Sequence, residues 1–142
     1  MIGSFSRVVL SVIALCTIST VAQAKVVACT FDKVTSVGMG SKKNTRDFLG
    51  ETITFDTTKE LINVKWTDGV SGWMSADKIM KNGSFTSYIL FSDIEFSDGT
   101  YPMKFLFRLS ADEAGAEVRS EMQKNAGGGR EWKENAARYT CA

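Results

Sequence analysis

The chain has 142 residues, with 17 Lys and Arg against 16 Asp and Glu, a formal net charge of +1. So balanced a charge gives no electrostatic case for binding nucleic acid or an anionic membrane. There is no His, which removes His-based triads, His general bases and His metal ligands.

Met1 to Ala24 reads as a secretory signal peptide. Arg7 is its one charge, Val8 to Ile18 is apolar, and Ala22 and Ala24 are the small residues of an A-x-A cleavage site. The apolar run is too short for a membrane span of ~20 residues. Cleavage after Ala24 leaves residues 25–142 as a single small domain, exported to the periplasm or the extracellular space. Losing Arg7 brings the 17 basic residues level with the 16 acidic ones. It also removes Cys16, so Cys29 and Cys141 remain, and in an exported domain such a pair reads as a disulfide. That bond requires the first and last elements to lie side by side.

The first strand is expected at Val26–Lys33, with Val27, Cys29 and Phe31 on one face. A long Gly-containing loop follows over 38–49, with one helical turn through Thr45–Leu49 capped by Asn44 or Thr45. Ile53 and Phe55 alternate with Thr52 and Thr54, and Ile62, Val64 and Trp66 alternate with Asn63 and Lys65. Both patterns have the period of two of a half-buried strand. Val70 to Lys81 is less regular.

The strongest signal is the hairpin Ser84–Leu109, turning at Asp98-Gly99. In its second arm Tyr101, Met103, Phe105, Phe107 and Leu109 share a face. Its first arm is apolar on both faces between Tyr88 and Phe91 and then changes phase, which predicts a bulge near Ser92-Asp93. From Ser110 to Gln123 two patterns compete. A capping box at Ser110 and Glu113 favours a helix, while Ala116, Val118, Ser120 and Met122 alternate as in a strand. Gly115 tips the reading towards a turn followed by a strand. Gly127-Gly128-Gly129 is a further break, and the last strand is expected around Arg138–Cys141.

These signals predict an all-β domain of about eight short antiparallel strands. The Cys pair brings strand one to strand eight, as in a small up-and-down barrel, with a β-sandwich as runner-up. The architecture is lipocalin-like in this general sense only. The Gly-x-Trp expected near a lipocalin start is absent, and Gly72-Trp73 has the wrong spacing and place.

No catalytic residue, metal site or cofactor is expected, and the protein is not expected to be an enzyme. Asp93, Glu95 and Asp98 lack calcium-loop spacing. Gly127-Gly128-Gly129-Arg130 lacks the spacing of a phosphate loop. Two functions remain. The first is a binding module for a small apolar ligand, with Phe55, Trp66, Phe91, Phe105 and Phe107 lining a pocket. The second is a protein-binding module, such as an inhibitor of an exported enzyme, that presents Lys42, Lys43 and Arg46 from the 38–49 loop.

Overall fold

A computed structural model describes residues 25–126 and 129–142, with side chains at 25–123 and 133–142. The expected signal peptide at 1–24 and the break at Gly127-Gly128 lie outside the described residues. Among the described residues nine strands form one antiparallel sheet: β1 (Val26–Val37), β2 (Thr52–Asp56), β3 (Leu61–Lys65), β4 (Ser71–Ser75), β5 (Lys78–Lys81), β6 (Phe85–Phe96), β7 (Gly99–Ser110), β8 (Gly115–Ala126) and β9 (Gly129–Cys141). The one helix among the described residues is α1 (Lys42–Leu49). It is too short to cross a membrane.

The strand order is β4-β3-β2-β1-β9-β8-β7-β6-β5. This is a meander read around a ring, with the first and last strands adjacent. Cys29 pairs directly with Cys141 across β1 and β9 and is bonded to it, closing a separation of 112 residues. A disulfide of this kind fits an oxidising compartment.

Eight antiparallel pairings separate β4 from β5 along the sheet. That number is even, so the two strands run the same way. They are one crossing of the wall, broken at Ala76-Asp77. The first half pairs with β3 and the second with β6. The irregular stretch 70–81 is therefore the fourth of eight crossings in the meander of the described residues. Its break leaves the ladder open, and the sheet curls into a half-barrel instead of closing fully.

The curl is visible in contacts between strands remote in the sheet. The ring of Phe55 on β2 lies 5.6 Å from that of Tyr88 on β6, centroid to centroid. Around them Val27, Ile62, Leu109 and Ala116 are buried. Beside this cluster the Tyr139 hydroxyl donates to the Gly50 carbonyl at 2.6 Å. Burial pushes its ionisation above the ordinary 10.0, against a smaller opposing pull from Arg46.

One local expectation is corrected. The β6–β7 hairpin pairs without interruption from Phe85–Ser110 to Phe96–Gly99, so there is no bulge near Ser92-Asp93. Register shifts fall in β1 instead, between Phe31 and Lys33 and between Val34 and Ser36. The contested segment after Ser110 is a turn followed by a strand, β8.

Candidate functional site

The helix that covers one part of the half-barrel is built locally. Ser41 accepts a hydrogen bond from the Asn44 N–H at 3.1 Å and is the N-cap. At the other end the Gly50 N–H donates to the Arg46 carbonyl at 3.0 Å. Gly50 has φ 106°, and a Cβ there would meet Val64 Cγ1 at 2.6 Å, so only glycine fits this exit. The helix is thus two turns long and begins at Lys42, not a loop with a turn through Thr45–Leu49.

Three contacts seat it. Thr45 and Leu49 are buried. The Phe48 ring lies 5.7 Å from that of Phe105 on β7. The indole of Trp66, just past β3, donates to the Phe48 carbonyl at 3.1 Å. The chain leading into the helix is held by Asn135 on β9. Its side-chain carbonyl accepts from the N–H groups of Gly38 and Met39 at 2.8 and 2.9 Å, and its amide donates to the Met39 carbonyl and to Thr45 Oγ1.

Between this helix and the open seam lies a cavity of ≈ 580 Å³. Its floor is Phe105 and Phe107 of β7 with Val118 of β8. Trp66 and Met74 come from the β3–β4 side, and Leu90 and Ile94 from β6. The cavity exists because pairing on the β5 side of β6 stops at Ile89. Beyond that point Asp77 stands in for a strand: its N–H donates to the Ile89 carbonyl at 2.9 Å and its carboxylate accepts from the Phe91 N–H at 2.7 Å. A volume in the range of ligand pockets, lined by aromatic and aliphatic side chains, can hold a small apolar molecule.

Four of the five aromatic residues singled out from the sequence line this one cavity: Trp66, Phe91, Phe105 and Phe107. Phe55 does not. It is fully buried against Tyr88 in the packed region. Phe91 is reached by a different route than its pattern implied. Without a bulge, Leu90, Ser92 and Ile94 hold the inward phase, and Phe91 is 62% exposed at the seam rim. Sequence reasoning passed over Phe48, Asp47, Leu90 and Asp77. The first two lay in a segment read mainly as loop. Asp77 acts through a break in pairing, which no residue pattern announces.

Two further hollows flank the helix. A second chamber of ≈ 520 Å³, lined by Met39, Phe96, Met103 and Met122, shares Asp47 and Phe48 with the first. Asp47 and Phe48 thus lie between them. On another side, Lys42, Lys43 and Arg46 border a shallow cleft with Phe31 and Lys33. There the Arg46 guanidinium lies 5.0 Å from the Phe31 ring centroid. No protein-family model, curated protein or solved structure matches this chain.

Proposed function

We propose that the protein is an exported binding module for a small apolar ligand, held between helix α1 and the open seam of the half-barrel. The observation that carries this reading is the ≈ 580 Å³ cavity lined by Trp66, Phe105 and Phe107. Cores of this size normally pack solid. Here a two-residue break in one strand keeps the wall open, and the helix roofs the space. The role assigned to 1–24 is that of a signal peptide that takes the domain to the periplasm or beyond, and no enzymatic role is assigned.

Trp66 lines the cavity and reports its contents. Titration with decanol, followed by indole emission and native mass spectrometry, is expected to give a saturable shift and a one-to-one adduct. Neither shift nor adduct would overturn the reading.

A second reading keeps the cationic face of α1 as a docking surface for an acidic exported protein. It is favoured by Lys42, Lys43 and Arg46 sharing one cleft. Replacing all three with Glu is expected to abolish capture of such a partner, and unchanged capture would remove these residues from consideration.

A further inference from the structure

We infer that the ligand of the seam cavity is a cationic amphiphile, an apolar chain or ring system carrying an amine or quaternary ammonium, and not a fatty acid. This rests on the apolar-ligand reading above and adds the sign of the polar head.

The charge around the cavity is one-sided. Among the described residues its lining contains two carboxylates, Asp47 and Asp77, and no Lys or Arg. Its other polar members are Ser75 and Ser92. The two acids come from separate elements, Asp47 from helix α1 and Asp77 from the break between β4 and β5. Neither takes part in an ion pair among the described residues. Asp47 accepts from the Thr67 hydroxyl at 3.3 Å and Asp77 from the Phe91 N–H at 2.7 Å. A carboxylate has about four acceptor sites, so each retains capacity for a ligand donor.

The helix sorts its charge accordingly. Lys42, Lys43 and Arg46 border the cleft with Phe31, while Asp47 alone of its charged residues borders the cavity. The aromatic rim acts in the same direction. Phe91 stands beside Asp77, and Trp66 lines the same space; their ring faces attract a cation. An anionic head placed here would meet two like charges, one of them, Asp47, only partly exposed beside apolar walls.

Three probes with one decyl chain test the assignment: decyltrimethylammonium, decanol and decanoate, each below its micellar concentration at neutral pH. The cation is expected to bind at least about tenfold more tightly than the anion, with decanol between them. In an Asp47→Asn, Asp77→Asn variant the cation-to-anion ratio should fall towards one, with circular dichroism verifying the fold. If decanol binds but decanoate matches or exceeds the cation, the charge assignment falls and the apolar pocket stands. If the cation wins and the double variant keeps the preference, these two residues are not its source. If none of the three binds, both readings fall.

Discussion

The backbone N–H of Phe91 donates to the Asp77 carboxylate at 2.7 Å, where a closed barrel would have a bond between strands. One side chain thus ends the β5–β6 ladder and holds the seam. Asp77→Ala is expected to cost about 0.5–1.5 kcal/mol, at the low end because water can replace the acceptor at this exposed site. Asp77→Asn retains a carbonyl acceptor and should cost less. Hydrogen exchange is the sharper measurement: the Phe91 amide should exchange faster in Asp77→Ala while amides of the β8–β9 ladder do not change.

The Cys29–Cys141 bond joins strands that are already neighbours in the sheet. Its removal therefore acts mainly on the unfolded chain, which loses a constraint spanning 112 residues. A Cys29→Ser, Cys141→Ser variant should lose about 4–5 kcal/mol, measured by urea denaturation against the oxidised protein. Its native sheet, seen by circular dichroism at low denaturant, should be the same.

Much of this fold was legible because its signals are local. Met103, Phe105, Phe107 and Leu109 alternate, and a period of two admits one structure once Asp98-Gly99 supplies the turn. The Cys pair carried the long-range information, placing β1 beside β9. Phe91 shows where local pattern fails. Ile89 and Leu90 are both apolar, so the phase of β6 was ambiguous, and it was settled by twelve unbroken pairings with β7. The hollow itself was illegible. Phe105 and Phe107 would read identically in a solid core, and the space above them depends on a lost ladder and on how Phe48 is seated.

Asn135 is 8% exposed and uses both ends of its amide to hold residues 38 and 39 and Thr45. Asn135→Ala would remove the acceptor of the Gly38 and Met39 N–H groups, while Thr45 Oγ1 keeps its bond to the Ser41 carbonyl. Asn135 also borders the ≈ 520 Å³ chamber, where water can take over part of the bonding, so the expected loss is about 1 kcal/mol. Gly38→Ala should disturb the same joint from the other side, since its Cβ would meet the Glu134 carbonyl at 2.5 Å. Denaturation midpoints check both, and both should also loosen helix α1, seen as faster exchange of its amides.

Tyr88 and Tyr139 set an alkaline limit. Burial raises both ionisations above the ordinary 10.0, and at Tyr88 the nearby Glu60, Asp56 and Glu113 raise it further. The folded state therefore holds these protons more tightly than the unfolded chain. Their stabilising contribution is complete below pH 10 and is lost as pH rises through the folded-state values. Stability should decline above about pH 10, and the decline should be shallower in Tyr139→Phe. That variant should also lose about 1 kcal/mol at neutral pH with the hydrogen bond to Gly50. Denaturant melts across the alkaline range give both numbers.

Phe48 lines both chambers, and its ring centroid lies 5.7 Å from that of Phe105. Truncating it to Ala should join them. The ring is only half-buried, so the stability loss should be about 1–2 kcal/mol, below the 3–5 kcal/mol of a fully buried Phe. The functional effect should be larger. Each methylene moved from water into the cavity contributes about 0.8 kcal/mol, roughly fourfold in affinity, until the chain reaches a wall. Across a series of alkanols of increasing length, wild-type affinity should therefore rise and then level off. In Phe48→Ala the rise should continue to longer chains, because Met39, Met103 and Met122 then extend the apolar wall. A plateau at the same chain length in both proteins would mean that Phe48 does not separate the chambers.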